Sequence, residues 1–125
     1  MEIDPIIISP LLKAFGKFEQ FRVNLKTEQE QAGAIQAFEY CFELTWKTMK
    51  RLLQERGKTA NSPRETFRMA ALEGFIYDPE LWFGFLVKRN LTVHTYEEKE
   101  AQNVLAIFPL FSDEVKAFLT HIKAV

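Results

Sequence analysis

The stretch IQAFEYCFELTWKTMKRLL, residues 35–53, carries large apolar side chains at intervals of three and four residues. The series consists of Ile35, Phe38, Phe42, Trp46, Met49 and Leu53. This spacing places all of them on one face of an α-helix. We therefore predict a long helix over residues 28–56. Gly57 follows the helix and suits the left-handed position at a helix C-terminus.

Start and stop signals predict three further helices around this one. A Ser-Pro pair favours a first helix from residue 9 or 10 to about residue 26, with the serine as cap. Ser-Pro-Arg-Glu at 62–65 forms a capping box that opens a short third helix, ending near Gly74. Asp-Pro-Glu at 78–80 opens a fourth helix toward Arg89 by the same logic.

The C-terminal part is predicted to contain a break and then a bent helix. β-Branched residues weaken helix formation over residues 91–95. Thr-Tyr-Glu-Glu at 95–98 reads as a capping box, so we expect the last helix to span 96–123. Pro109 should kink that helix near residues 105–106, because proline lacks the N–H and clashes with the preceding turn.

Length and composition indicate one helical domain over residues 1–125. Hydrophobic residues make up 47% of the chain and charged residues 26%, as in ordinary globular proteins. Helices with apolar stripes and short connections pack as an antiparallel bundle. The twelve Phe residues favour an aromatic core. The alternative is that some of them face a second subunit.

The formal net charge of -1 gives no overall electrostatic case for nucleic-acid binding. The charge is uneven, however, because residues 47–68 contain seven basic and two acidic side chains. A solvated helix face is the usual explanation of such a segment. The alternative is a phosphate or RNA contact, for which Lys47, Lys50 and Arg51 are the candidates.

The sequence contains few features that indicate a cellular compartment or a cofactor. Cys41 is the one cysteine, which fits a reducing cytosol, and its apolar surroundings favour buried packing. A run of three isoleucines at 6–8 is too short for a signal or a membrane span. The expectation is a soluble cytoplasmic protein. We expect neither a metal nor a cofactor, since the chain has no Cys/His cluster at metal-ligand spacing and no glycine-rich phosphate loop.

The string RNLTVHTY, residues 89–96, is the strongest candidate site. In an unbroken helix Arg89 and His94 would lie about 140° apart around the axis, so only the predicted break lets them converge. An arginine, a histidine and a helix N-terminus can together hold a phosphate, and histidine can move protons. The alternative is that an arginine near a helix start serves packing alone.

Arg89, His94 and Tyr96 match the R-x4-H-x-Y motif of HEPN domains, and the chain resembles that superfamily beyond the motif. FEYCFELTWK at 38–47 is similar to the second-helix signature. The likeness covers roughly residues 35–105. It is strongest to the HepT-like branch, described as nucleotidyltransferase substrate-binding proteins.

The resemblance implies an up-and-down antiparallel four-helix bundle that forms homodimers, and the helix signals above add an extra short helix and a kinked C-terminal helix to it. It also implies a minimal nucleotidyltransferase encoded nearby as partner, in a system of the toxin–antitoxin type. No paired acidic residues suited to nucleotidyl transfer are apparent, so that activity would belong to the partner. On this interpretation the chain is the nucleotide- or substrate-binding subunit, with no membrane association.

The resemblance implies an alternative role as a metal-independent ribonuclease toxin. In that role Arg89 and His94 are catalytic, and Asn90 orients the substrate or holds the loop. Adenylylation of Tyr96 by the partner would silence the toxin. The intact Arg-His-Tyr set favours the ribonuclease, whereas the near-neutral charge favours the binding role. Whether the chain is itself an enzyme stays open at this point.

Overall fold

The computed structural model describes residues 4–123, which form six α-helices and one 3-10 turn. The helices are α1 (Pro5–Phe21), α2 (Glu28–Glu55), α3 (Pro63–Leu72), α4 (Pro79–Leu91), α5 (Glu98–Leu105) and α6 (Phe108–His121), and the 3-10 turn is Thr92–His94. The predicted all-α bundle is confirmed. Within residues 4–123, no helix is both long enough and apolar enough to span a membrane.

Helix α1 begins earlier than the sequence analysis predicts. Asp4 is its cap and accepts a hydrogen bond from the Ile6 N–H at 2.9 Å, with Pro5 at the first helical position. The predicted start at residue 9 or 10 is wrong, because Asp-Pro supplies the same signal five residues sooner. Pro10 is tolerated inside the helix because the carbonyl it leaves unpaired belongs to exposed Ile6 and can meet water. The helix also ends at Phe21, not near residue 26.

Helix α2 matches the prediction to within one residue at its end. Thr27 caps it in a complete capping box, in which the threonine hydroxyl accepts from the Glu30 N–H at 3.0 Å. The Glu30 carboxylate in turn accepts from the Thr27 N–H at 2.9 Å. Gly57 has a φ of 74°, the left-handed conformation expected after the helix.

Helices α3 and α4 begin where the two proline signals predict. The Ser62 hydroxyl accepts from the Glu65 N–H at 3.2 Å, and Asp78 accepts from the Glu80 N–H at 2.9 Å. Gly74 follows α3 with a φ of 81°. These local signals therefore fix the start of the helix that carries Arg89.

The C-terminal region is split where the kink is predicted. Ala106 and Ile107 separate α5 from α6, because Pro109 offers no N–H to the Leu105 carbonyl. The predicted start at residue 96 with Thr95 as cap is wrong. Glu97 precedes α5 and makes no side-chain cap, while the Thr95 hydroxyl donates to the Thr92 carbonyl at 3.0 Å.

The core is aromatic, as the sequence favours. Nine of the twelve Phe side chains are buried, among them Phe18 of α1, Phe38 of α2 and Phe85 of α4. Phe111 of α6 lies at the centre, with ring centroids 5.2, 4.9 and 5.2 Å from those three. All three contacts are edge-to-face, the geometry that aromatic quadrupoles favour. Helix α6 thus closes the bundle against α1, α2 and α4.

Candidate functional site

Arg89 lies in the last turn of α4 and reaches across to two carboxylates of α2. Its Nε is 3.3 Å from Oε1 of Glu43, and its Nη1 is 3.9 Å from Oε2 of Glu39. The Nε–H is not aligned for a hydrogen bond to Glu43, so this contact is an ion pair held by charge. The Arg89 side chain is 27% exposed. A guanidinium has several N–H donors, so part of the group remains available to a phosphate.

The 3-10 turn after α4 is fixed by side-chain to main-chain hydrogen bonds. The Thr92 hydroxyl donates to the Arg89 carbonyl at 2.7 Å and accepts from Arg89 Nη1 at 3.3 Å. Farther on, the Glu97 N–H donates to the His94 carbonyl at 3.0 Å. The turn therefore follows Arg89 without a flexible linker. The break predicted over residues 91–95 is present in this form.

His94 and Tyr96 are exposed neighbours on this turn. Their ring centroids are 6.1 Å apart with the planes at 68°, and Tyr96 is 79% exposed. Tyr96 lies two residues before α5 and not in its first turn, contrary to the sequence analysis. Glu98 and Glu100 occupy that first turn. These carboxylates complement the positive end of the helix dipole.

Arg89 and His94 have different neighbours within the protomer. Across residues 4–123 no hydrogen bond joins them, because Arg89 turns toward α2 while His94 faces solvent. The expectation that the break brings these two side chains together at one phosphate stays a prediction. A site that uses both groups needs a substrate that spans them or a second copy of the chain.

A cleft of about 390 Å³ lies beside Tyr96, between the start of α2 and the start of α5. Its lining includes Lys26, Gln31, Ile35, Thr95 and Tyr96. Sequence reasoning missed this cleft, since it depends on how α2 packs beside the 3-10 turn and not on any local motif. Asn90 is exposed on α4, close to Arg89 in sequence.

Three of the basic candidates lie on α2. Lys47 and Arg51 line a groove between α2 and the first turns of α1, and Lys50 is half-buried. Lys47 lies one turn beyond Glu43, so the groove adjoins the helix face that holds Arg89. These positions are compatible with the predicted phosphate contacts, which stay a prediction.

The other basic side chains of residues 47–68 do not extend this surface. They are Arg56, Lys58, Arg64 and Arg68. The first two approach Glu73 at 3.2 and 3.9 Å. The last two stack on Phe83 of α4, 5.1 and 5.3 Å from its ring centroid. The segment is therefore distributed over several faces and is not one patch. Among the described residues no cluster of three His, Cys, Asp or Glu side chains could hold a metal ion.

The family described as nucleotidyltransferase substrate binding protein like matches residues 8–124. The chain belongs to this family. A relative, a Haemophilus influenzae protein named probable ribonuclease HepT, is 34% identical over 97 residues. The match covers 74% of this chain and 66% of that relative, so the chain spans less than the relative's whole length.

Solved structures agree with this membership of the nucleotidyltransferase substrate-binding protein-like family. A crystal structure of a Thermus thermophilus protein is 30% identical, with a TM-score of 0.85, and covers 90% of this chain and 98% of that one. A Haemophilus influenzae structure, described as revealing the fold of a substrate binding domain of a nucleotidyltransferase, is also 30% identical. Its TM-score is 0.83, and the match covers 93% of this chain and 98% of that chain.

Proposed function

We propose that this chain is the helical subunit of a two-component nucleotidyltransferase system and that it cleaves RNA with Arg89 and His94. One observation carries the proposal: an arginine anchored by Glu39 and Glu43 is followed by a 3-10 turn whose last residue is a solvent-exposed histidine. The relative named probable ribonuclease HepT supports the activity. The family description supports the nucleotidyltransferase partner.

The chemistry needs only groups that the chain supplies. A neutral His94 imidazole accepts the proton of a ribose 2′-hydroxyl, whose oxygen attacks the adjacent phosphorus. The bond from phosphorus to the 5′-oxygen breaks, and that oxygen takes a proton from an imidazolium. Arg89 stabilises the extra negative charge on the phosphoryl oxygens. The products are a 2′,3′-cyclic phosphate and a 5′-hydroxyl.

A homodimer would supply two His94 imidazoles, one as the base and one as the acid, and would bring them close to Arg89. Phe83, Val87 and Leu91 recur every four residues on α4, so they share one face. Val87 is 48% exposed, and Phe83 and Leu91 are only partly buried. A second copy packed on this face would bring two 3-10 turns to one cleft, because a two-fold interface uses the same surface twice. Arg89 of one protomer and His94 of the other would then flank one phosphate.

Tyr96 is the proposed site of regulation by the partner. Its side chain is exposed beside His94, so another protein can reach its hydroxyl. The tyrosine oxygen would attack the α-phosphorus of ATP, with pyrophosphate leaving and the phenol proton passing to a base of the partner. The attached AMP places a negative phosphate near His94, where it excludes the RNA phosphate by occupancy and repulsion.

The cleft beside Tyr96 favours a second candidate function. Its volume of about 390 Å³ lies within the range of small-ligand sites. In this role the chain binds a nucleotide or substrate for the partner and performs no chemistry. Under this alternative, Arg89 is an internal ion-pair partner of α2 and His94 is a surface residue.

Expression in a bacterial host distinguishes the two candidates. We expect the wild-type chain alone to stop growth and to fragment cellular RNA, and Arg89→Ala and His94→Ala to abolish both effects. His121→Ala is the matched histidine control and should behave as wild type. Co-expression with the partner should restore growth and add AMP-sized mass increments to the wild type, but not to Tyr96→Phe. A harmless wild-type chain that binds nucleotide would contradict the ribonuclease proposal.

A further inference from the structure

The outward face of α2 carries an exposed aromatic side chain next to the residues that hold Arg89. Tyr40 is 61% exposed, although it lies in the middle of the long central helix. It follows Glu39 directly and lies three residues before Glu43, hence within one helical turn of both carboxylates. The Tyr40 ring does not pack in the bundle core. The neighbouring residues Phe38, Cys41 and Phe42 are the ones buried there.

Basic side chains continue from Tyr40 along the same face. At about 100° per residue, Tyr40, Lys47 and Arg51 fall within a sector of about 40° around the helix axis. Lys47 and Arg51 are both exposed. Within residues 4–123 Arg51 forms one salt bridge, with Glu55 at 3.4 Å, and both of those side chains are more than half exposed. Such a surface pair is weak, so Arg51 remains available to another anion.

An apolar groove runs beside these cations. It has a volume of about 310 Å³ and lies between α2 and the first turns of α1. Ile6, Ile7, Pro10 and Leu44 give it apolar walls, and Lys47 and Arg51 lie along it. Asp4 also lines the groove, but its Oδ1 accepts the Ile6 N–H as the cap of α1.

We infer that Tyr40, Lys47, Arg51 and this groove form a track for single-stranded RNA that leads to Arg89. The inference rests on the proposed ribonuclease function and extends it to the substrate. Tyr40 stacks on a base adjacent to the cut, Lys47 and Arg51 contact successive phosphates, and the groove takes a further base. This combination of a stacking ring with backbone-tracking cations is how proteins bind single strands without sequence preference.

The observations favour RNA over an acidic peptide. The exposed ring of Tyr40 lies on the same face as the cations and provides a flat surface. A nucleobase can stack on the whole of this surface, whereas an acidic side chain has no ring to stack. The track also begins one turn from Glu43, and Glu43 holds the proposed catalytic guanidinium at 3.3 Å. A strand bound along α2 therefore passes close to the Arg89 side chain.

Binding can be measured without cleavage in the His94→Ala background. Fluorescence anisotropy with a labelled single-stranded oligouridylate should show about tenfold weaker binding for Tyr40→Ala, whereas Tyr40→Phe keeps the affinity because it keeps the ring. The double variant Lys47→Ala/Arg51→Ala should also bind about tenfold more weakly and lower the salt slope by about one to two. Lys13→Ala/Lys17→Ala, which removes two exposed lysines from α1, is the matched charge control and should leave both quantities unchanged.

Unchanged affinity in Tyr40→Ala, with an unchanged salt slope in the Lys47/Arg51 variant, would overturn the track. Displacement of the oligonucleotide by a polyglutamate peptide at equal concentration would overturn it as well. Because the assay measures binding and not cleavage, its outcome is independent of the catalytic proposal. If the wild type cleaves RNA but Tyr40→Ala binds RNA as tightly as its parent, only the track is rejected. If Tyr40→Ala weakens RNA binding but the wild type does not cleave RNA, only the ribonuclease proposal is rejected.

Discussion

Arg89 Nε lies 3.3 Å from Oε1 of Glu43, so a carboxylate of α2 holds the guanidinium of the proposed site. Glu39, one turn earlier, approaches the same group at 3.9 Å. An arginine on a helix end has many rotamers, and ordering it costs entropy. The two carboxylates reduce that cost before substrate arrives, which is a form of preorganisation.

Glu43→Gln tests this positioning role. The amide keeps the shape but removes the charge, so we expect kcat for RNA cleavage to fall about tenfold with little change in KM. The melting temperature should stay close to that of the wild type, since both side chains are partly exposed. In the double variant with Arg89→Ala, Glu43→Gln should cost nothing further, because the two residues act through one interaction.

Asp113→Asn on α6 is the matched carboxylate control, and it should leave cleavage unchanged. If Glu43→Gln lowers kcat by the same factor with Arg89 and with Arg89→Ala, Glu43 does not act through Arg89.

Glu19 links α1 to α6 and makes stability depend on pH. Burial raises the pKa of Glu19, but hydrogen bonds from Arg22 at 2.8 Å and Ser112 at 2.6 Å, with the charge of Lys116, outweigh burial and hold the pKa below its ordinary value. A carboxyl whose folded pKa is lowered stabilises the fold above its unfolded pKa. That contribution disappears as the pH falls through the folded pKa.

Ser112→Ala should therefore lower the free energy of unfolding by about 1–2 kcal/mol at about pH 7, and by less at about pH 3. Urea unfolding at both pH values measures the difference. Thr120→Ala, an exposed hydroxyl on the same helix, is the control and should change stability by less than about 0.5 kcal/mol. An equal loss for Ser112→Ala at both pH values would contradict the role given to Glu19.

Phe111 joins the aromatic contacts of α1, α2 and α4, so its truncation should be costly. We expect Phe111→Ala to lower the free energy of unfolding by about 3–5 kcal/mol, and Phe111→Leu to cost clearly less because it leaves a smaller cavity. Leu110→Ala is a matched neighbour, since Leu110 is partly exposed, and should cost less than about 1 kcal/mol. Denaturant midpoints of the three variants check the order, and similar losses at positions 110 and 111 would contradict this core.

Cys41 should be chemically silent in the folded protein. Burial raises the pKa of its thiol to about 12, and the Thr45 hydroxyl lies 4.0 Å from its sulfur. Since the thiolate is the reactive species, a disulfide reagent at about pH 8 should label the native chain very slowly and the urea-unfolded chain rapidly. Fast stoichiometric labelling of the native protein would mean that the 35–53 stretch is not packed inward.

Local signals explain how much of the fold the sequence predicts. Ser62, Asp78, Gly57 and Pro109 act through their own backbone neighbours, so the helix boundaries that they set are found where expected. The predicted start of α1 is wrong because an Asp-Pro and a Ser-Pro signal occur within seven residues, and the helix begins at the earlier one. Thr95 does not act as the predicted cap because its hydroxyl has a competing acceptor, the Thr92 carbonyl.

The site is harder to predict because its contacts are distant in sequence. Arg89, His94 and Tyr96 are visible as a motif, but the ion pair from Arg89 to Glu43 depends on the register between α4 and α2. No local pattern encodes that register. The same holds for the groove along Lys47, whose opposite wall comes from α1. Tyr40, close in sequence to Glu39 and Glu43, is the one local signal that points to the proposed RNA track.

The most direct measurement is cleavage of a defined single-stranded RNA by the purified chain in the presence of a metal chelator. We expect the wild type to produce fragments with 2′,3′-cyclic phosphate ends, and Arg89→Ala and His94→Ala to lose at least about a hundredfold in rate. His121→Ala should retain full activity. Undiminished cleavage by His94→Ala, or no cleavage by a correctly folded wild-type chain, would contradict the account.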